Sequence, residues 1–178
     1  MATTQNPKQS KVAPSEETLH QLHQQKYALD QHAIVAITDI RGTINHVNDK
    51  FCDISGYTRE ELLGQNHRLL KSGVHDHDFF RAMFLSLKQN GTWHGEICNR
   101  SKDGSLYWVE TTIVALRDRD NNLQSYIALR TDITAQHTTL AAVRRLHEIT
   151  ADRTSSIHDK INEILELGRT IFKLPIAI

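Results

Sequence analysis

Three β-rich segments with only short turns between them dominate the middle of the chain. They cover residues 92–100, 106–117 and 123–131, and the turns between them contain SKDG and DRDNN. Asp, Asn and Gly in such turns suit the tight reversals of β-hairpins. The pattern predicts a three-stranded antiparallel meander, which must bury one face against other elements to form a core.

Two shorter β-rich segments and several helical pieces precede the meander. AIVAITDI and TINHVN flank an Arg-Gly turn and predict a hairpin. A short helical piece then ends at Gly56, a second begins at Thr58 as N-cap, and a longer one ends at Asn90-Gly91. The predicted fold class is α+β: a five-stranded antiparallel sheet with flanking short helices on one face, enclosing space for a small molecule.

The two ends of the chain differ in sequence pattern from this central domain. Residues 1–14 are polar and predict a disordered lead, and residues 15–31 predict an N-terminal helix capped by Ser15. After the central domain at 32–132, residues 133–152 predict a linker helix. Residues 153–178 predict a second helix and an apolar strand-like run, which we interpret as the truncated start of a following domain.

Composition excludes several classes of partner and compartment. The chain has 178 residues and a formal net charge of +0, so it has no electrostatic surplus for nucleic acid or an anionic membrane. No apolar run is long enough for a membrane span or a signal peptide. Two cysteines provide no disulfide framework, and we therefore expect a cytoplasmic location.

Three motifs together resemble the PAS domain, a sensory module of bacterial signalling proteins. They are AITDIRGTINHVNDKFCDISGYTREELLGQN, WHGEICNRSKDGSLYWVE and TDIT, and the resemblance covers residues 28–136. It implies a ligand cavity facing the sheet and an output helix that leaves after DIT.

The segment from residue 146 to 172 is similar to the opening of GAF domains in sensor histidine kinases and diguanylate cyclases. The chain contains no GGDEF-like run, phosphoacceptor histidine box or nucleotide-binding glycine loop. We therefore expect a regulatory domain and not an enzyme, with a kinase or cyclase module downstream.

GQNHRLL, Trp93 and NRSKDG resemble two flavin-binding groups of PAS domains. One is the light-oxygen-voltage receptors, whose cysteine forms an adduct with the flavin; the other is the FAD-containing redox sensors. His67 stands where the light receptors have that cysteine. Imidazole cannot form the same adduct, so this photochemistry is excluded unless Cys52 or Cys98 reaches the ring. The resemblance favours FAD, with FMN as the alternative.

The resemblance also implies a set of cofactor-contact positions. Asn66 stands near the flavin polar edge, Arg68 at a phosphate and Asn99 at the pyrimidine ring. Val109 and Arg130 depart from the asparagine and glutamine usual in light receptors, which favours a redox sensor. The full predicted cofactor-binding set is Asn66, His67, Arg68, Leu70, Trp93, Asn99, Val109 and Arg130.

Apolar residues supply the predicted flavin slot, or, in the alternative interpretation, simply fill a core. They are Ile34, Ile37, Val47, Leu69, Leu70, Ile97 and Ile113.

Other interpretations of the cavity stay open at this stage. Haem is the runner-up cofactor, with His77 as the candidate ligand; no other metal site is indicated. A metabolite receptor would use Arg130 for a carboxylate. A cofactor-free module would serve only dimerisation. In each case we expect a homodimer formed through the helix at 15–31 and the outer sheet face at Trp108.

Overall fold

The computed structural model describes the fold of residues 15–172 and the side chains of residues 15–169. The predicted disordered lead, 1–14, and the predicted strand-like run at 173–178 lie outside the described residues. Six α-helices and five strands form within the described part. The helices are α1 (Glu16–His32), α2 (Asp49–Ser55), α3 (Arg59–Leu62), α4 (His77–Asn90), α5 (Thr134–Ala151) and α6 (Ile157–Phe172). The strands are β1 (Ile34–Asp39), β2 (Ile44–Val47), β3 (Thr92–Arg100), β4 (Leu106–Arg117) and β5 (Leu123–Asp132).

One antiparallel sheet holds all five strands in the order β2-β1-β5-β4-β3. The predicted α+β fold, a five-stranded antiparallel sheet with flanking helices, is confirmed. The meander forms because each hairpin partner follows directly in sequence, whereas β1 inserts beside β5 to close the sheet. This pairing brings the first and last strands of the domain together at its centre.

The inner face of the sheet follows from the strand register. Ala36 pairs with Ala128, and Ala128 pairs with Ile113, so these three side chains lie on one face. Ile37 pairs with Ile127 and therefore points to the opposite face. The prediction that Ile34 and Ile37 share the apolar slot was wrong for Ile37, because two residues three apart in a strand point to opposite sides.

Asn48 fastens the helical layer to the sheet. Its buried Oδ1 accepts from Val35 N at 3.0 Å and from Phe51 N at 3.1 Å, which caps α2. Its Nδ2 donates to Ala33 O at 2.7 Å. One amide thus joins the start of β1 to the first turn of α2, and α2 in turn places Phe51 in the core.

The GQNHRLLKSG segment forms a short 3₁₀ turn over His67–Leu70. The Asn66 side chain holds both ends of this turn: Oδ1 accepts from Arg68 N at 3.1 Å, and Nδ2 donates to Arg41 O at 2.9 Å. The backbone N–H of His67 donates to Gly42 O at 2.9 Å. These contacts bind the turn to the β1–β2 reversal, so the position of its backbone does not depend on a ligand.

Helix α4 closes the other side of the inner face. Asp76 caps its first turn by accepting from Phe79 N at 2.8 Å, and Gly91 ends it with φ 73°. Met83 and Leu87 are its buried residues and belong to the main core. A hollow remains between α4, the 3₁₀ turn and the sheet.

The terminal helices lie outside this core. α1 has no buried residue, and α5 buries only Ile149 among the described helix residues. α5 and α6 are linked by an ion pair between Arg145 and Glu163 at 2.8 Å. Within residues 15–172 no helix is both long and apolar enough to cross a membrane.

Candidate ligand cavity

A cavity of about 750 Å³ lies between the inner face of the sheet, the 3₁₀ turn and α4. This volume is within the ~300–1,000 Å³ range of small-molecule sites. Its apolar walls come from the sheet and from one side of α4. The principal apolar contributors are Ala36, Phe80, Met83, Leu87, Ile97, Ile113 and Ala128.

Five of the eight predicted cofactor-binding residues line this cavity. They are Asn66, His67, Arg68, Asn99 and Arg130. They come from the 3₁₀ turn, from β3 and from β5, which the fold brings together across 64 positions of sequence between Asn66 and Arg130. The haem candidate His77 lines the cavity as well.

The other three predicted residues do not line the cavity: Leu70 and Val109 lie in the core, and the partly buried Trp93 packs against it. Leu70 is 1% exposed and Val109 is 0% exposed, so both are packed on all sides. Trp93 shares the inner face with Ile97 and Asn99 but packs edge-on against Phe79, with ring centroids 5.8 Å apart. Trp93 thus packs at the edge of the core and is not a cavity residue.

Three further residues of the predicted apolar set do not line the cavity. Leu69 is 42% exposed, since a 3₁₀ turn points successive side chains in different directions. Ile34 and Val47 belong to the core cluster but not to the cavity wall. Neither Cys52 nor Cys98 lines the cavity: Cys98 is buried beside Trp108 in the β3–β4 pairing, and Cys52 lies on α2.

Arg130 is the unusual group of the site. It is 5% exposed, and its Nη2 donates to His67 Nε2 at 2.8 Å. Its Nε and Nη1 are buried without any acceptor. The guanidinium also lies 5.5 Å from the centre of the Phe51 ring, a cation–π contact. Burial lowers the pKa of Arg130 to about 10, so the group is still a cation at neutral pH.

His67 is neutral beside this cation. Burial, and after it the charge of Arg130, lowers the pKa of the imidazole to about 3. Because a guanidinium only donates, Nε2 of His67 must accept and the ring proton lies on Nδ1. The ring also meets Phe51 edge-on at 5.9 Å. Phe51 therefore contacts both partners of the hydrogen bond.

Exposed basic residues surround the rest of the opening. We call the set Arg41, Arg68, Lys71, Arg81 and Lys88 the basic rim. Among the described residues that line the cavity there is no Asp or Glu. A buried cation and a basic rim without carboxylates, in a chain with a net charge of +0, create a local positive potential that favours an anionic ligand.

Sequence reasoning missed most of the basic rim and identified only Arg68. A signal was present: His77, Arg81 and Lys88 recur at spacings of four and seven residues and so share one face of α4. Asn66, in contrast, has less hydrogen-bonding capacity for a ligand than predicted, because its Oδ1 and Nδ2 already bind backbone groups. Asn99, which is 5% exposed, is the amide positioned to contact a ligand.

The metal alternative has weaker geometric support. His77 is exposed, and its Nδ1 lies 3.3 Å from the Arg81 guanidinium, a cation that disfavours a neighbouring metal ion. Within residues 15–172 no group of three or more His, Cys, Asp and Glu side chains is arranged to hold a metal.

The last strand connects the cavity to α5 through a compact cluster at the end of β5. Two residues after Arg130, the Asp132 carboxylate accepts from Thr134 N at 2.9 Å. Thr134 Oγ1 accepts from Trp108 N at 3.0 Å. The Trp108 ring stacks on His137 at 4.1 Å and 3°.

His137 Nε2 lies 2.8 Å from Glu96 Oε2 on β3. We call the set Glu96, Trp108, Asp132, Thr134 and His137 the exit clamp. The sequence pattern places Trp108 on the outer sheet face, as part of a predicted homodimer interface; within this chain, His137 of α5 stacks on it.

The fold is an α+β domain in which a five-stranded antiparallel sheet and short helices enclose a cavity. The family profile for the PAS domain matches residues 32–135, and the chain therefore belongs to the PAS family. It is 35% identical over 127 residues, 71% of this chain, to the aerotaxis receptor of Escherichia coli. It is 34% identical over 104 residues, 58% of this chain, to a nitrogen fixation regulatory protein of Klebsiella pneumoniae.

The matched regions are 24% and 21% of these two relatives, so the chain corresponds to a minor part of each. Among solved structures, a light-oxygen-voltage domain reported with a flavin analogue superposes with a TM-score of 0.57 at 23% identity. That match covers 69% of this chain and 93% of the other. At this identity the likeness establishes the fold alone.

Proposed function

We propose that this PAS domain senses redox state or light through a flavin held in the cavity without a cysteine adduct. FAD is the favoured form and FMN the alternative. The domain acts as a regulator and not as an enzyme, within a longer signalling protein that carries a histidine kinase or diguanylate cyclase module. The observation that carries the proposal is the buried Arg130, whose Nε and Nη1 lack acceptors beside an apolar cavity with a basic rim.

The residues fit the parts of a flavin. Ile97, Ile113 and Leu87 offer apolar surface to a flat ring system, and Asn99 offers an amide to its polar edge. A buried cation with two donors that lack acceptors is costly, and a carbonyl or negative ring edge would satisfy them. The basic rim suits phosphate groups, with Arg68 as the predicted phosphate contact.

A bound flavin would supply reversible electron transfer to the cavity. The chain's own residues do the rest. Arg130 favours whichever ligand form carries more negative charge, since it is a cation in a poorly solvated site. Any change in the position of Arg130 reaches Asp132 two residues later along β5. Asp132 holds the first turn of α5 through Thr134, so the exit clamp is the route that we propose to the output module.

The visible spectrum of the purified chain tests the proposal. We expect flavin absorption, release of FAD or FMN on denaturation, and loss of the chromophore in Arg130→Ala. Lys50→Ala is a matched control, because Lys50 is an exposed cation of α2 that does not line the cavity. A colourless protein that takes up neither FAD nor FMN in reconstitution contradicts the proposal. A haem spectrum lost in His77→Ala would establish the runner-up instead.

The second candidate function is a receptor for a small carboxylate. The same unpaired guanidinium favours it, because carboxylates are the usual partners of a buried arginine. In that case the protein is colourless, and carboxylates raise its melting temperature whereas flavins do not. A cofactor-free dimerisation module remains the third interpretation, but a cavity of about 750 Å³ gives it no support.

A further inference from the structure

We propose that His67 is a positioning residue for Arg130: its Nε2 accepts from Nη2 and holds the guanidinium over Phe51, which reserves Nε and Nη1 for the ligand. The inference rests on the proposed function and deepens it. His67 would set how strongly the cavity prefers the reduced, more negative flavin over the oxidised one, without touching the flavin chemically.

The backbone of His67 is fixed independently of Arg130. The 3₁₀ turn is tied to the β1–β2 reversal by His67 N to Gly42 O at 2.9 Å and by the Asn66 amide to Arg41 O at 2.9 Å. The acceptor Nε2 therefore sits at a defined place in the wall of the cavity. A rigid acceptor is what a long, flexible arginine side chain needs if it is to adopt one orientation.

No carboxylate performs this task in the described part of the chain. The groups that hold the guanidinium there are His67, by a hydrogen bond, and Phe51, by its ring face. A carboxylate partner would neutralise Arg130 and cancel its attraction for an anionic ligand. A neutral imidazole orients the cation and leaves its charge uncompensated. Histidine at this position thus combines orientation with retention of charge, which Asp or Glu could not do.

The experiment compares His67→Leu, which removes the acceptor, with His67→Gln, which offers a new one. In ligand-free, ¹⁵N-labelled chain, we expect wild-type Arg130 to give resolved side-chain resonances and His67 to show the Nδ1-H tautomer. The Leu variant is expected to lose the resolved Arg130 resonances, and the Gln variant to retain them in part. This readout requires no flavin.

The second readout is the midpoint potential of chain reconstituted with FAD or FMN. We expect His67→Leu to lower the preference for reduced over oxidised flavin about tenfold, or about 30 mV for a two-electron couple. His67→Gln is expected to recover part of that loss. Far-UV circular dichroism of each variant checks that the fold is retained.

The outcomes separate this inference from the proposed function. If no flavin binds but the Arg130 resonances depend on an acceptor at 67, the proposed function fails and the positioning role stands. Unchanged Arg130 resonances in a folded His67→Leu variant, or an equal potential in Leu and wild-type proteins, would overturn the positioning role. If the Leu variant does not fold, the tautomer of His67 in the wild-type chain and the Arg130 resonances of the Gln variant test the positioning role instead. An Nε2-H tautomer in the wild-type chain would contradict it.

Discussion

At the scale of single residues, the site depends on contacts that sequence spacing does not reveal. His67 and Arg130 are 63 positions apart, and Phe51 joins them from a third element. Their resemblance to flavin-contact positions placed both in the candidate set. Their hydrogen bond to each other depends on how the 3₁₀ turn packs against β5. Tertiary packing of this kind cannot be predicted from the sequence pattern.

His67 is partly buried, and its lowered pKa predicts a pH dependence of stability. Because its pKa is lowered to about 3 in the folded chain, the unfolded chain binds more protons below about pH 6.5. Stability should therefore fall as the pH falls from about 6.5 towards 3, by at most about 1.4 kcal/mol per pH unit from this group. His46 and His75 also have lowered pKa values, through burial, and add to the slope.

Urea denaturation of wild type and His67→Leu between pH 7 and pH 4 measures how much His67 contributes to the pH dependence of the free energy of unfolding. The Leu variant should show the shallower decline, since it lacks the contribution of His67, whereas those of His46, His75 and the hydrogen-bonded carboxylates such as Asp103 are common to both proteins. Parallel curves would mean that His67 is solvated enough to protonate in the folded chain.

Gly95 predicts a local packing limit beside Trp93. A Cβ at Gly95 would lie 2.6 Å and 2.8 Å from atoms of the Trp93 ring, which itself packs against Phe79. Gly95→Ala should therefore destabilise the chain by roughly 1–3 kcal/mol. Thermal and urea unfolding measure the effect.

Gly168→Ala is the matched control, because it lies in α6 with nothing within 4 Å of the new Cβ. It should be neutral or stabilising by up to about 1 kcal/mol. Equal effects of the two substitutions would contradict the packing argument.

At the scale of elements, the order of strands and helices could be predicted because its signals are local. The SKDG and DRDNN turns mark the meander, and Thr58, Asn90 and Gly91 lie at helix ends in both the sequence pattern and the structure. What failed was the assignment of side chains to the cavity. Ile37 lies on the other face of β1, and Leu69 is exposed, because hydrophobicity alone does not specify the direction of a side chain.

The contacts of the exit clamp should stabilise the first turn of α5. Removing the stack between His137 and Trp108 should cost about 0.5–1.5 kcal/mol. His137→Ala should therefore speed amide exchange in the first turn of α5 by up to about tenfold, because this turn opens locally and independently of the core. Hydrogen–deuterium exchange with mass spectrometry reports the change.

His147→Ala is the control on the same helix, since His147 is exposed and lies three turns beyond the clamp. It should leave exchange in the first turn unchanged. Equal exchange in wild type and His137→Ala would remove the clamp from the proposed output route.

At the scale of the whole molecule, the helices outside the core present apolar side chains to solvent. Leu19, Leu22 and Leu29 of α1 are 42%, 52% and 45% exposed. Leu140, Val143 and Leu146 of α5 are exposed as well. The core of the PAS domain does not need these residues, so they are available for contacts beyond it.

A second copy of this chain is the partner that we expect for α1. The 17-residue α1 has no buried residue and so gains little from its own domain, whereas helices in proteins draw most of their stability from packing an apolar face. Pairing the leucine stripes of two α1 helices would bury the apolar side chains and stabilise both helices. Leu22→Lys should then weaken dimerisation by tenfold or more, because it places a charge in the paired stripe.

Sedimentation velocity over a range of concentrations measures this, with Leu165→Lys on α6 as a control of equal chemistry at an exposed apolar site. The wild-type chain and the control should be dimers at concentrations where Leu22→Lys is a monomer. A wild-type chain that stays monomeric throughout would contradict the pairing. A dimer lost in Leu165→Lys but kept in Leu22→Lys would move the interface from α1 to the α5–α6 pair.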